Sequence, residues 1–389
     1  MTSQIAIFNP LGVAVASDTV TTLTTEGGVK TTNNAEKMWP LVGGHLVVVA
    51  VSGSVNSNGI HSRLLIAEWN RSLNDPMASL QDYAESFSTW LSREENLIPI
   101  DSEIGELHYY LNNHYYYIRA QVIEEAQELP EEEIPRVFKE HTELGLEYLK
   151  SLPLFEGVSD EADAELLAKR GIDLDDKIDY IFKDFPGLDE VRELLKESAP
   201  LILSRAQPMP NDTDLAFIGF GSSEHFAQSI KLTCRGRYGG HARVAMGDPF
   251  GASATNSSGS IQTFAQSDAI FGFIRGAQHQ VLDQAFEFTW DFVVSQFENS
   301  DDGVAKAREV IDGMRKHVHD YMFESFAAPL LDTVGALNLK DAADLAESLV
   351  GIQAMRANAS PEPPGVGGFI ESLIIDRFDG IRWVKQLPR

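Results

Sequence analysis

The chain opens Met1-Thr2-Ser3-Gln4. Thr2 is small enough for routine removal of Met1, which would leave a threonine carrying both a hydroxyl and a free α-amine. Such a residue is a nucleophile with its own general base. An α-amine of ordinary pKa, about 7.7–8.0, is partly neutral near physiological pH and can take the hydroxyl proton there. Many chains beginning Met-Thr have an inert terminus, so the residues placed around Thr2 must decide its role.

The elements that would position Thr2 come next. Ile5 to Phe8 and Val13 to Ala16 are short apolar runs joined by Asn9-Pro10-Leu11-Gly12, which reads as a hairpin of buried strands. The second strand ends in Ser17-Asp18. A β-branched stretch comes after it and turns at Glu26-Gly27-Gly28. His45 to Val51 is another apolar strand, ending in Ser52-Gly53-Ser54-Val55. Helical spacing runs over about 58–73, with Ile60, Leu64, Leu65 and Trp69 on one face, and over about 77–93 after the break at Asp75-Pro76. The next strands are Leu215 to Gly221 and Ser229 to Arg235.

The order of these parts resembles the proteasome β-subunit family of N-terminal-nucleophile hydrolases. The matching segments are Thr2, Ala16-Ser17-Asp18, Ala35-Glu36-Lys37 and Val51-Ser52-Gly53-Ser54-Val55, with sixteen residues from Thr2 to Asp18. Near the end, Val366-Gly367-Gly368-Phe369-Ile370 and Ile374 to Trp383 look like the family's closing strands. The resemblance implies that Thr2 is the nucleophile. Lys37 disfavours a second positive charge and lowers the pKa of the Thr2 amine. Asp18 pairs with Lys37 and keeps it charged and aimed. The Gly53 N–H faces the developing oxyanion, a contribution of roughly 3 kcal/mol when well aimed. The implied reaction is amide hydrolysis through an acyl-threonine. Ser267, in Phe264-Ala265-Gln266-Ser267-Asp268, falls closest to a further serine of the family motif. Val366 stands where the family has another serine, and Asn358 or Glu362 where it has an aspartate. The family pocket maps to Thr21, Thr22, Ala35, Trp39, Val51 and Val55, which are uncharged and mostly apolar. An apolar side chain on the acyl side of the cleaved bond is therefore expected.

The resemblance implies an α+β fold, a four-layer α/β/β/α sandwich of two mainly antiparallel sheets. The core would comprise residues 2–96 and 210–389. Residues 97–209 read as an acidic helical insertion, with helices near 104–127, 134–152, 162–169 and 188–197. Residues 101–200 hold 26 acidic and 10 basic side chains, so most of the chain's net charge of −27 lies there. A charge so concentrated marks a solvated or partner-facing module. The cluster Tyr109, Tyr110, His114, Tyr115, Tyr116 and Tyr117 has two readings, a binding face or a packed helical core. Gly247 to Ser260 reads as a loop without a P-loop Gly-Lys-Ser/Thr. Helical spacing resumes over 274–297, 303–331 and 339–357.

The negative charge speaks against nucleic acid and anionic membranes as partners. No stretch of about 18 apolar residues suggests a membrane span. Ala14-Val15-Ala16 resembles a signal cleavage site, but no Lys or Arg precedes it. A single cysteine, Cys234, suits a reducing cytoplasm and reads as a small buried apolar residue. His279, His317 and His319 form no recognisable metal constellation, and no cofactor is expected. By resemblance the chain forms a homo-oligomer acting on a peptide or amide, and a regulatory or unfoldase partner fits that class. The acidic insertion is difficult to bury at a symmetric interface, so it should lie outside the family's ring-stacking contact or replace it. A non-catalytic scaffold of the same fold is the alternative function.

Overall fold

The computed structural model describes all residues except 1, 26–27, 94–97, 128, 184, 210, 254–258, 297–300, 361–364 and 389. The turn at Glu26-Gly27, Glu362 and the prolines 361, 363 and 364 therefore lie outside the described residues.

The chain begins with β1 (Ser3–Asn9) and β2 (Gly12–Asp18), then the hairpin β3 (Thr21–Thr25) and β4 (Gly28–Thr32). β5 (Met38–Pro40) and β6 (Val47–Gly53) come next, then the two-residue strands β7 (Asn56–Ser57) and β8 (Ile60–His61), α1 (Ser62–Ser72) and α2 (Leu80–Arg93). Five helices extend the chain: α3 (Ile100–Ala126), α4 (Ile134–Ser151), α5 (Asp160–Lys169), α6 (Leu174–Ile181) and α7 (Leu188–Ser204). Strands return as β9 (Thr213–Gly219), β10 (Gln228–Tyr238), β11 (His241–Met246), β12 (Phe250–Gly251) and β13 (Ser260–Ala265). Then come α8 (Asp268–Arg275), α9 (His279–Gln296), α10 (Asp301–Met322), a π-helical turn (Phe323–Ala327), α11 (Ala328–Ala336) and α12 (Leu339–Ala359). β14 (Ile370–Asp376) and β15 (Gly380–Lys385) close the fold. The class is α+β.

One sheet runs β13-β1-β2-β14-β15, and a six-stranded sheet runs β11-β10-β9-β6-β5 with β12 against β10. All pairings in both are antiparallel. Every residue of β1 and β2 is buried, because each strand is covered on both faces. Side chains alternate across a strand. Ile5, Ile7, Ala14 and Ala16 pack with α12 residues such as Ala342 and Val350. Their neighbours Ala6, Phe8, Val13 and Val15 pack with Val48, Ala50, Ala216 and Ile218 of the six-stranded sheet. That sheet's other face sends Val47, Val49 and Phe217 against Trp69 of α1 and Tyr83 and Phe87 of α2.

Several expectations need correction. The helix expected from 58 starts at Ser62, because residues 56–61 form the β7–β8 hairpin through Asn58 at φ +48°. The helix over 188–197 continues to Ser204 through Pro200, since its apolar face is longer than the local spacing suggests. α6, capped by Asp173 accepting from the Asp176 N–H, has no counterpart among the expected helices. The expected helix over 274–297 is two helices separated by Gly276 at φ +82°. The segment 247–260, expected as a loop, contains β12, and β13 then pairs with β1 where no strand was expected.

Two buried ion pairs tie the helices between α2 and β9 to the six-stranded sheet. Arg235 of β10 meets Asp212 at 3.2 Å, and Arg243 of β11 meets Asp163 of α5 at 2.5 Å. The Arg235 guanidinium also donates to the carbonyls of Ile202, Arg205 and Gln207 and lies over the rings of Tyr110 and Phe155. Arg235→Leu should leave the buried Asp212 charge without its cation and remove the hydrogen bonds from the guanidinium to three carbonyls, at a cost of about 3–5 kcal/mol. Urea unfolding should read this as a lower midpoint, and a change below about 1 kcal/mol would contradict it.

Candidate active site

Asp18 ends β2 with no solvent exposure, so its charge must be met from within. Its Oδ1 accepts from Lys37 Nζ at 2.6 Å and from the Ser3 N–H at 3.0 Å. Its Oδ2 accepts from the Gly367 N–H at 3.0 Å and the Val20 N–H at 3.3 Å. Lys37 is itself 3% exposed. Burial pulls its pKa below the usual lysine value, and the Asp18 charge and hydrogen bond only partly oppose this.

Thr2 precedes the Ser3 N–H that caps Asp18, and it is buried. Its carbonyl accepts from the Gln266 N–H at 2.9 Å. The Lys37 carbonyl accepts from the Val51 N–H at 2.9 Å, which brings the lysine segment against the end of β6. Two residues on, Gly53 is exposed at φ +72°. A Cβ there would lie 2.5 Å from the Asp212 carbonyl oxygen, which accepts from the Ser54 N–H at 3.0 Å. Only glycine fits this approach without displacement. Thus Thr2, Asp18, Lys37 and Gly53 come from four strand ends gathered at one edge of the two sheets.

Ser267 is half-buried at the N-terminus of α8, and its hydroxyl caps no N–H there. It comes directly after Gln266, the donor to Thr2, and Ala265, which pairs with Ser3. Ala265 has φ +61°, a strained conformation for a residue with a Cβ. Thr21 and Thr22 are half-buried in the β3–β4 hairpin, and the Ala35 N–H donates to the Thr19 carbonyl. Trp39 packs edge-on to His61 and half-buries its ring. Val55 is half-buried, with its carbonyl accepting from Ser62. Val51 is 2% exposed because strand alternation turns it into the cluster beneath α1 and α2. Val366 is fully buried, Asn358 is exposed, and the expected strand from Val366 begins only at Ile370. Gly367 there serves Asp18 by its N–H instead.

Two supporting residues lie outside the expected set. The Thr19 hydroxyl lies 2.7 Å from the Asn33 carbonyl and 2.9 Å from the Phe369 carbonyl. Gln4 of β1 donates to Ser17 Oγ at 3.2 Å and to the Val51 carbonyl at 3.0 Å, joining the two sheets. A polar amide leading an apolar strand is the sequence signal for Gln4. Thr19 has none, because its partners lie far along the chain.

Cys234 is buried, and burial pushes its thiol up to about 11, so it is no nucleophile near neutral pH. Among the described residues, no three His, Cys, Asp or Glu side chains are grouped to hold a metal ion, and no helix is long and apolar enough to cross a membrane. The chain matches no family model and no curated protein.

Lys37→Met should strand the Asp18 charge and cost about 3–5 kcal/mol. The Lys37 pKa is lower in the folded than in the unfolded chain, so the folded state releases its proton first as pH rises. Wild-type stability relative to Lys37→Met should therefore increase with pH as the ordinary lysine value of 10.5 is approached from below. Denaturation series at several alkaline pH values would check the slope. A fall would contradict the assignment of Lys37 as a buried, burial-depressed base.

Proposed function

We propose that this chain is a proteasome-like threonine peptidase or amidase, with Thr2 as nucleophile once it is N-terminal. The observation that carries the reading is the buried Lys37–Asp18 pair, whose carboxylate also holds the N–H of the residue after Thr2. In this reading the Thr2 hydroxyl oxygen attacks the substrate carbonyl carbon while its proton passes to the Thr2 amine. The Gly53 N–H donates to the resulting oxyanion. The amine proton then goes to the leaving nitrogen as the C–N bond breaks, giving an acyl-threonine ester. Water, deprotonated by the same amine, hydrolyses that ester. Lys37 favours the neutral amine by its charge, and the depression of its own pKa by burial makes a proton on it easier to move. Ser267 is assigned a supporting position next to the Gln266 donor.

The same reading takes the fold as a four-layer α/β/β/α sandwich. It is supported by three apolar clusters, one between α12 and the first sheet, one shared by the sheets, and one between the second sheet and α1 and α2. Residues 97–209 are assigned as an inserted helical module, and the chain as a cytoplasmic homo-oligomer that accommodates a regulatory or unfoldase partner. The uncharged positions Thr21, Thr22, Ala35, Trp39 and Val55 favour an apolar residue on the acyl side of the cleaved bond. A catalytically inactive scaffold is the second reading, favoured by the buried Val366 where the resemblance places a serine.

Intact mass should show Thr2 at the N-terminus, and a β-lactone or epoxyketone probe should label Thr2 alone. Thr2→Ala, Asp18→Ala and Lys37→Ala should each lower turnover by at least about 10³-fold, the scale of losing a member of a catalytic unit. Full activity in Thr2→Ala would sink the assignment, and a free Thr2 that no probe labels would favour the scaffold. Fluorogenic peptides ending in Leu or Tyr should be cleaved faster than those ending in Arg or Asp. The reverse order would overturn the proposed pocket.

A further inference from the structure

The tyrosine run on α3 divides between buried and exposed positions. Tyr110 and Tyr115 are fully buried, and the Tyr115 hydroxyl donates to the Leu195 carbonyl of α7 at 2.9 Å. Tyr116 and Tyr117 remain 45% and 64% exposed. They line a cleft of about 780 Å³ together with α4 and residues 207–209. This volume lies within the usual range for small-molecule sites, about 300–1,000 Å³.

The lining has a definite chemistry. Tyr117 and Tyr148 offer aromatic rings and hydroxyls, Ile118 and Met209 offer apolar surface, and Gln121 and Gln207 offer amides. His114 also lines the cleft, and its Nε2 is shielded from solvent without a hydrogen-bond partner among the described residues. Burial pushes its pKa down to about 4, so the ring is neutral near pH 7. An atom that water cannot touch is closed to a cleft occupant as well, so the polar contacts on offer are the amides of Gln121 and Gln207 and the tyrosine hydroxyls. The other histidine of the lining, His141, is already engaged by Glu125 at 2.8 Å. Among the described residues, no Asp, Glu, Lys or Arg side chain lines the cleft. The surrounding helices are strongly acidic, with 26 acidic against 10 basic side chains over residues 101–200, so their field disfavours anions. A cation would find no carboxylate in that lining to balance it.

We infer that this cleft binds a neutral, planar heteroaromatic molecule, stacked on the tyrosine rings and hydrogen-bonded to the Gln121 and Gln207 amides. Rings of this kind present apolar faces to Tyr117 and Tyr148 and a polar edge to the amides. The site lies in the helical segment, and its occupancy does not depend on the catalytic reading of Thr2.

Benzimidazole and nicotinamide are suitable neutral probes, with benzoate as the anionic comparison. Titration of the full chain near pH 7, followed by saturation-transfer NMR and calorimetry, would measure binding. Kd values for the neutral probes should be on the order of 1 mM or tighter, as about ten well-placed heavy atoms allow. Benzoate should bind about tenfold more weakly or worse. Gly145 lies on α4 in the lining, and a Cβ there meets nothing within 4 Å. Gly145→Phe should therefore fill the cleft while keeping the fold, checked by circular dichroism, and weaken the neutral probes about tenfold or more. Gln207→Leu should weaken benzimidazole while keeping apolar contact. Failure of both neutral probes to bind the wild-type chain would overturn the inference. So would equal binding of benzoate, or binding unchanged in a folded Gly145→Phe chain.

Discussion

A buried carboxylate fixes the geometry at the edge of this fold. Asp18 has no water to stabilise it and needs every donor around it. Lys37 supplies the opposite charge, and three backbone N–H groups fill the remaining positions. Asp18 belongs to the first sheet, and Lys37 leads into β5 of the second. The pair therefore sets how the two sheets meet at this edge, and Gln4 repeats the tie a short distance inward. Thr2 and Gly53 take their places from that meeting. A threonine at the start of β1 gains chemical interest here through the strands that fix its surroundings, not through its own side chain.

The sequence makes some levels of this arrangement legible and hides others. The β1–β2 hairpin is readable because apolar runs and a Pro–Gly turn are local signals. Asp18 and Lys37 are readable as a pair only through their order relative to Thr2. That Gly367 serves Asp18 is not readable, since a backbone N–H carries no residue-type signal. β13 is hidden because Ser260-Ile261-Gln262-Thr263 lacks a clear apolar run, and its strand character comes from pairing with β1. The α3 tyrosines carry two candidate readings, and the packed core holds for Tyr110 and Tyr115. Tyr110 and Tyr117 lie two helical turns apart on the same side of α3, yet one is buried and the other exposed, so the surfaces that pack against each turn decide the matter and the spacing does not.

The helical segment and the sheet edge are not separate in structure. Residues 207–209 form one wall of the tyrosine-lined cleft, and Asp212 lies just beyond them. Its carboxylate is paired with Arg235, and its carbonyl holds the Ser54 N–H beside Gly53. The close approach that requires glycine at position 53 is thus made by a residue whose carboxylate is held by Arg235 of β10, the Met209 N–H and the Tyr110 hydroxyl of α3. The exposed end of β6 is thus set by the segment leading into β9 as well as by its strand neighbours.

The four donors to Asp18 come from residues 3, 20, 37 and 367. A ribosome makes the first three almost together and the fourth hundreds of residues later. Strands β1 and β2 can pair early, but β14, which joins β2 beside Asp18, is not yet synthesised. Local pairs form first, and contacts distant in sequence must wait for the chain that completes them. The carboxylate therefore stays under-satisfied, and its surroundings open to water, until Gly367 and β14 leave the exit tunnel. A nascent chain that stops short of Gly367 and β14 lacks one donor to Asp18 and the strand that covers the outer side of β2.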